Sequence, residues 1–169
     1  MKHVLAMLVL VFTFSCKQRS RPFISGLEGK ELPAFNLLLP DSNSYFNTSE
    51  INGDHPFAVF YFSPYCPYCR AELHDIISND NALQSTTFYL VTNFPFVDMK
   101  RLYNEFNLYK YPNIITGFDF NSSIASYYQP RGVPYLALYG KHKKLKVVYV
   151  GKIEYNDLHL ALTDDKIAQ

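Results

Sequence analysis

Hydrophobic and polar residues are arranged along the chain in runs that predict strands and helices in alternation. Residues 57–62 are apolar at every position and have the length of one strand, which predicts a central strand covered on both faces. Shortly after this run, Cys69, Leu73, Ile76 and Ile77 recur at the spacing of one helix face. The pattern therefore predicts a buried strand that leads directly into an amphipathic helix.

The same alternation continues to the end of the chain. Further strands are predicted at residues 35–39, 44–47, 86–92, 113–116, 134–139 and 145–150, with a short capped turn at 48–53. Further helices are predicted from three stripes, which are Met99, Leu102, Tyr103 and Phe106; Ile124, Tyr127 and Tyr128; and Tyr155, Leu158, Ala161 and Leu162. The last two strands form a predicted hairpin across a Lys-rich turn. This order predicts an α/β fold with a mixed central sheet flanked by helices.

Composition predicts one domain and argues against nucleic-acid binding. A chain of 169 residues with 48% hydrophobic content can bury one sizeable core. Its charges nearly cancel, at a formal +1, and residues 141–146 form the only dense basic run in the sequence. We expect that run to lie at the hairpin turn, with no nucleic acid as partner.

The first residues have the pattern of an export signal. Lys2 and His3 precede uncharged residues 4–15, a stretch shorter than the roughly 20 residues of a membrane span but suited to a secretory signal peptide. We therefore interpret residues 1–15 as a signal peptide, 16–28 as a tether and 29–169 as the folded domain. Export would place the chain in an oxidising compartment.

The predicted signal ends in a segment similar to a bacterial lipobox. A small residue, Ser15, precedes Cys16, although Thr13 and Phe14 depart from the usual pattern. The similarity predicts lipid attachment at Cys16, and hence a membrane-anchored lipoprotein on the periplasmic side of a bacterial envelope. A cleaved signal without lipid and an uncleaved apolar anchor are the alternatives.

The other two cysteines form the motif Cys66-Pro67-Tyr68-Cys69 at the predicted helix start. A helix N-terminus favours negative charge, so Cys66 is expected to be the attacking thiolate and Cys69 the resolving thiol. Pro67 suits the first helical turn, where a missing N–H costs nothing. The pair predicts a redox-active disulfide with no other cofactor. Zinc would require two further ligands, and no histidine stands at metal spacing, so no metal site is predicted.

Three segments, in order, resemble the TlpA-like thioredoxins of bacterial envelopes. They are residues 29–35 (GKELPAF), 60–73 (FYFSPYCPYCRAEL) and 131–134 (RGVP). The resemblance implies a thioredoxin fold over about residues 27–165, with an N-terminal β extension and a strand–helix insertion between the C-x-x-C motif and a cis-proline. It also implies a thiol–disulfide oxidoreductase that acts on client proteins carrying thiols or disulfides. It favours a reductase supplied by an upstream membrane electron donor, because such family members keep client thiols reduced.

The resemblance assigns further site residues. Pro134 is expected to be cis and to expose the backbone of Val133 to an extended substrate, with a plain edge-strand proline as the alternative. Glu72, three residues after Cys69, is expected to handle the proton of the resolving thiol, with an exposed surface acid as the alternative. Many thioredoxins instead carry a buried acid at the position of Phe60, and this chain lacks it.

Two tyrosines flank the thiols. Tyr65 and Tyr68 are candidates for an apolar surface on which a client segment docks, with core packing as the alternative. The chain contains no Trp, which the family usually carries near this motif. Together with Val133 and Pro134, the two rings complete the predicted substrate-binding residues.

Three other functions share parts of this pattern. Cys-Pro-Tyr-Cys is also the glutaredoxin motif, but the long segment between Cys69 and Val133 argues against that compact fold. Residues 63–67 also suit a peroxiredoxin-like thiol peroxidase, although the nearby Cys69 favours disulfide exchange. The non-enzymatic alternative is a tethered binding module in which the disulfide is purely structural.

Overall fold

The computed structural model describes residues 20–164, which contain seven strands and five helices. The strands are β1 (Asn36–Leu38), β2 (Tyr45–Asn47), β3 (Phe57–Tyr61), β4 (Thr87–Thr92), β5 (Ile114–Phe118), β6 (Tyr135–Tyr139) and β7 (Leu145–Val150). The helices are α1 (Pro67–Ser78), α2 (Asp80–Leu83), α3 (Phe96–Glu105), α4 (Ser123–Tyr128) and α5 (Tyr155–Thr163). Single 3-10 turns lie at Thr48–Glu50, Leu108–Lys110 and Lys141–Lys143.

All of these strands join one mixed sheet in the order β2-β1-β5-β4-β3-β6-β7. β3 pairs in parallel with β4 and antiparallel with β6, so its backbone is hydrogen-bonded on both sides. Tyr61, the last residue of β3, lies opposite Val91 of β4 and Tyr135 of β6. The predicted central strand is confirmed, and its end is fixed relative to the start of β6.

Both faces of the sheet are covered at β3, which explains the uninterrupted apolar run in that strand. Ala58 and Phe60 lie in one buried cluster with residues of α1, α3 and α5. Phe57, Val59 and Tyr61 lie in a second buried cluster on the opposite face, with residues of α4. All five are 5% exposed or less, and burial of each large apolar side chain contributes about 1.5–3 kcal/mol. Packing therefore holds β3 in place from both faces of the sheet.

The remaining strands and α-helices follow the predicted pattern with one omission. The pair β1–β2 is the predicted N-terminal β extension, and β5 with α4 is the predicted strand–helix insertion before Pro134. The sequence pattern does not predict α2, a single helical turn that begins at Asp80 directly after α1. A segment of this length has too few apolar residues to show a helical period.

The Lys-rich run is only partly a surface turn. Lys141 and Lys144 are exposed at the turn, as expected. Lys146 instead lies within β7 and is 8% exposed. Its Nζ donates hydrogen bonds to the carbonyl oxygens of Ala161 at 3.0 Å and Asp164 at 2.8 Å, at the C-terminal end of α5. The ammonium therefore satisfies carbonyl groups that a helix end leaves unpaired.

Residues 20–28, which the sequence pattern assigns to a tether, lie against the domain. The Phe23 N–H donates to the carbonyl oxygen of Val148 in β7 at 2.7 Å. The Ser20 N–H donates to Oδ2 of Asp157 in α5 at 2.7 Å. The chain is therefore held by hydrogen bonds from the first residue that the structure describes.

Cys16 and the predicted signal peptide lie outside the described residues, so their interpretation stays a prediction. Within residues 20–164, no helix has the length and apolar content needed to cross a membrane.

Candidate active site

The chain leaves β3 and enters α1 at the two cysteines. Cys66 is the N-cap residue of α1, with extended backbone angles (φ −77°, ψ 118°), and Pro67 is the first helical residue. The turn is closed by a hydrogen bond from the Cys66 N–H to the Ser63 carbonyl oxygen at 3.1 Å. The Cys69 N–H donates to Cys66 Sγ at 3.4 Å. A helix N-terminus and a donated N–H both stabilise negative charge on the Cys66 sulfur.

Cys69 lies one helical turn further along and is buried. Cys66 is half-buried, whereas Cys69 is 1% exposed and packs in the core cluster beneath α1. Burial raises the pKa of the Cys69 thiol; a hydrogen bond from the Ser63 backbone opposes this, and the neighbouring Cys66 and Glu72 reinforce it. Cys66 is therefore the accessible sulfur, while Cys69 is a protonated thiol at neutral pH.

The loop before β6 brings a second backbone segment to Cys66. The Val133–Pro134 peptide bond is cis, as the resemblance implies. Cys66 Sγ lies 3.6 Å from the Val133 carbonyl oxygen, although 67 residues separate the two in the sequence. Val133 is partly exposed and Pro134 is buried. Because β6 lies between β3 and β7, Pro134 does not begin an edge strand. A partly exposed peptide therefore borders the accessible thiol.

Glu72 is buried in the core and not exposed on the helix surface. It is 0% exposed and shares the inner face of α1 with Cys69. Its Oε2 accepts the N–H of Ile153 at 2.8 Å, whereas Oε1 has no hydrogen-bond partner among residues 20–164. Burial raises the pKa of the Glu72 carboxyl to about 7, against the opposing effects of the Ile153 N–H and the Lys152 charge. The alternative of an exposed surface acid is therefore wrong.

Two tyrosine rings are exposed at the rim of the site. Tyr65 is 59% exposed; its hydroxyl donates a hydrogen bond to the Asp98 carboxylate of α3, and its ring contacts Phe94 edge-on with centroids 5.8 Å apart. Tyr68 is 65% exposed. Neither ring fills the core, so both present apolar surface beside the thiols.

The positive charge next to the motif is already paired. The Arg70 guanidinium forms an ion pair with Glu105 of α3 and lies 5.1 Å from the centroid of the Phe106 ring. It therefore connects α1 to α3. Across the part of the chain that the structure describes, no group of three or more His, Cys, Asp or Glu side chains is arranged to hold a metal ion.

The sequence pattern contains no signal for one part of the site, residues 151–153 between β7 and α5. The Gly151 N–H donates to the Pro134 carbonyl oxygen at 2.8 Å, and the Ile153 N–H holds Glu72. Both contacts are made by backbone groups, which every residue except proline can supply. Such a role leaves no recognisable side-chain motif.

Comparison with known proteins identifies the fold. No protein-family model matches the sequence, and no curated protein gives a significant match. Solved structures do match, among them the thioredoxin domain of a thiol-disulfide oxidoreductase from Bacteroides vulgatus, with 19% identity and a TM-score of 0.64 over 84% of this chain and 98% of that chain. The chain has a thioredoxin fold.

Two further matches to this thioredoxin fold differ in the activity that their names indicate. The pneumococcal exposed lipoprotein thioredoxin from Streptococcus pneumoniae has 19% identity and a TM-score of 0.62, covering 77% of this chain and 98% of that chain. A peroxiredoxin-like protein from Aquifex aeolicus has 16% identity and a TM-score of 0.63, covering 80% of this chain and 85% of that chain. The thioredoxin fold alone therefore does not decide between disulfide exchange and peroxide chemistry, and the site residues must do so.

Proposed function

We propose that this protein catalyses thiol–disulfide exchange with client proteins through Cys66 and Cys69. The observation that carries the proposal is the pairing of an accessible sulfur with a buried one. Cys66 Sγ accepts the Cys69 N–H and borders the Val133 carbonyl group, while Cys69 lies in the core. An attacking thiol must meet the client, whereas a resolving thiol needs to reach only its partner sulfur.

The proposed exchange consists of two balanced steps. The Cys66 thiolate attacks one sulfur of a client disulfide, forms a mixed disulfide and releases the other client sulfur as a thiolate. Cys69 then loses its proton and attacks Cys66 Sγ, so the Cys66–Cys69 disulfide forms and the second client thiolate leaves. The client gains two electrons and the protein loses them, with no further cofactor. The reverse sequence oxidises a client dithiol.

Glu72 is the proposed acceptor of the Cys69 proton. Both side chains lie on the inner face of α1, and Glu72 Oε1 accepts no hydrogen bond from the described residues. A carboxyl with a pKa of about 7 is partly ionised at neutral pH, so it can accept a proton and later return it. Phe60 occupies the position on β3 where many thioredoxins carry a buried acid. Here α1 supplies the acid that β3 lacks.

The proposed client-binding surface surrounds Cys66. The backbone of Val133, before the cis Pro134, is partly exposed next to the thiol and suits pairing with an extended client segment. Tyr65 and Tyr68 add exposed aromatic surface on the other side of the motif. Aromatic rings provide large contact area at a small cost in side-chain entropy.

We further propose a reductase held on the periplasmic side of a bacterial envelope by lipid on Cys16. The resemblance to TlpA-like thioredoxins supports both the direction and the location, and one solved protein of the same fold is described as an exposed lipoprotein. In an oxidising compartment the Cys66–Cys69 pair becomes oxidised unless electrons arrive from elsewhere. The proposal therefore includes an upstream membrane electron donor.

Replacing Cys69 with serine should trap clients on Cys66, because the mixed disulfide can no longer be resolved. Non-reducing electrophoresis followed by mass spectrometry of the shifted bands measures the trapping. Cys66→Ser is the matched control and should trap little. Equal trapping by the two variants would contradict the assigned roles. No trapping by either would favour the structural-disulfide module, and peroxide turnover by the purified protein would favour a peroxiredoxin.

The reduction potential of the Cys66–Cys69 pair tests the direction of exchange. We expect a value near that of thioredoxin, about −270 mV, when the protein is equilibrated in dithiothreitol buffers and its free thiols are counted. A value of about −120 mV would instead indicate an oxidant of client proteins. A disulfide that resists reduction altogether would count against exchange.

Tyr68→Ala should slow exchange with a protein client but not with a small disulfide. An aromatic contact contributes about 0.5–1.5 kcal/mol, so KM for insulin reduction should rise roughly 2- to 10-fold. The rate with glutathione disulfide should stay unchanged, because that substrate does not need the rim. Tyr109→Ala is the control, since Tyr109 is 61% exposed in the 3-10 turn Leu108–Lys110 that follows α3. Equal effects of the two substitutions would remove Tyr68 from the docking surface.

Cys16→Ser should move the protein from the membrane fraction to the soluble fraction, because the proposed anchor is lipid on this cysteine. Cell fractionation and the mass of the N-terminal peptide measure the change, and Cys69→Ser should stay with the membrane. Retention of Cys16→Ser would favour an uncleaved apolar anchor. A soluble wild-type protein would favour a plain cleaved signal.

A further inference from the structure

Three consecutive residues between β7 and α5 connect separate parts of this site. The Gly151 N–H binds the carbonyl oxygen of the cis-proline, and the Ile153 N–H binds Glu72 Oε2 at 2.8 Å. Lys152, between them, extends its side chain to α1, where Nζ lies 2.6 Å from Asp75 Oδ2. One short segment therefore contacts the client-facing loop, the buried carboxyl and the outer edge of the helix that carries the thiols.

The titratable groups that face Glu72 come from two elements. On α1 they are Cys69 and Asp75, and on the segment before α5 they are Lys152 and Glu154. Lys152 is the cation of this group; its side chain is 26% exposed, and its Nζ also lies 3.9 Å from Glu154 Oε1. His74 approaches Asp75 at 3.9 Å, but its side chain is 74% exposed. The ammonium is therefore held at the edge of the buried site by carboxylates on both elements.

We propose that Lys152 is a positioning residue for the exchange reaction, acting through Asp75 on Glu72. The inference rests on the proposed function, in which Glu72 accepts the Cys69 proton. The ion pair engages the ammonium with Asp75, while its charge still acts on the Glu72 carboxyl. Oε1 of Glu72 has no hydrogen-bond partner among residues 20–164 and is the oxygen proposed to take the proton. The adjacent Ile153 holds the other oxygen of the same carboxyl.

The balance of charge explains why a cation that forms no direct ion pair with Glu72 suits this site. Burial favours the protonated carboxyl, which has no capacity to accept another proton. The positive charge of Lys152 counteracts burial and keeps part of the Glu72 population ionised at neutral pH. A direct ion pair with Oε1 would stabilise the carboxylate further and would occupy the oxygen that takes the proton. Asp75, one helical turn from Glu72, keeps the ammonium from moving onto that oxygen.

Two substitutions should move the pH dependence of the resolving step in opposite directions. The rate of the resolving step should rise with pH as Glu72 ionises. Lys152→Gln removes the cation, so Glu72 should ionise at higher pH, and the midpoint of this rise should move up by about one pH unit. Asp75→Asn removes a negative charge and frees Lys152 to approach Glu72, so the midpoint of the rise in rate should move to lower pH. Lys152→Arg keeps the charge and should keep the wild-type midpoint.

The resolving step can be measured by itself with a coloured leaving group. Cys66 of the reduced protein attacks dithiobis(nitrobenzoate), keeps one thionitrobenzoate in a mixed disulfide and releases the other as a thiolate. Attack by Cys69 on Cys66 Sγ then releases the second thionitrobenzoate, and stopped-flow absorbance follows this second release at each pH. Thionitrobenzoate leaves as a thiolate and needs no proton, so the pH dependence reports the deprotonation of Cys69. Glu72→Gln should remove this rise in rate with pH. The double variant with Lys152→Gln should then behave like Glu72→Gln alone.

A remote ion pair provides the matched control. Lys144 lies 3.5 Å from Glu31 at the opposite end of β7, and both side chains are largely exposed. Lys144→Gln removes the same charge at the other end of β7, so the midpoint of its pH dependence should equal that of the wild type. A shift of equal size in this variant would show a general effect of net charge and would overturn the role of Lys152.

The outcomes distinguish this inference from the function on which it rests. If no thionitrobenzoate is released from Cys66, both thiol–disulfide exchange and the role of Lys152 are overturned. Normal release with one common midpoint for wild type, Lys152→Gln and Asp75→Asn would overturn only the role of Lys152. Shifts of both variants in the same direction would indicate loss of packing and would overturn it as well. If Lys152→Gln does not fold, as circular dichroism would show, the direction of the Asp75→Asn shift decides.

Discussion

The antiparallel register between β3 and β6 is the constraint on which the site depends. Tyr61 lies opposite Tyr135 at the end of β3, so the chain turns towards Cys66 at the place where the cis-proline enters β6. A slip of one residue would send every side chain of β3 to the other face, and both faces of this strand are packed. The 3.6 Å approach of Cys66 Sγ to the Val133 carbonyl oxygen therefore follows from core packing. The sheet therefore determines the positions of the loops that form the site.

Burial of the Glu72 carboxyl beneath the thiols lowers the stability of the folded state at neutral pH. A rise in the carboxyl pKa from 4.5 to about 7 corresponds to roughly 3 kcal/mol against the ionised form. The folded state favours the protonated carboxyl, so this contribution to stability is complete below about pH 4.5 and is lost as the pH rises through about 7. An apolar side chain would avoid that cost, and it would also avoid burying Oε1, which has no hydrogen-bond partner among residues 20–164. A costly acid placed beside a buried thiol is the arrangement that proton transfer requires.

The features that the sequence predicts well are those that burial imposes on the pattern of side chains. β3 is apolar at every position because both of its faces are covered, and this is visible without any knowledge of its neighbours. The burial of Glu72 is not visible in the same way, because an acid interrupts the apolar stripe, although position 72 falls between Cys69 and Leu73 on the inner face of α1. The contact from Ile153 is a backbone hydrogen bond between segments far apart in the sequence. The pattern of side chains along the sequence therefore does not predict such a contact.

The proposed function assigns two tasks to different parts of one small fold. In the proposed function, recognition of a client would use the rim, where Tyr68 and the Val133 backbone are exposed, whereas proton transfer would use the core, where Glu72 contacts the segment that follows β7. The two regions meet at the cysteine pair and also through residues 151–153, whose backbone N–H groups bind both the Pro134 carbonyl oxygen and Glu72. Proteins that share this fold at less than 20% identity include one named a thioredoxin and one named peroxiredoxin-like. One sheet register can therefore carry different chemistry, because function depends on the residues of the site and not on the fold alone.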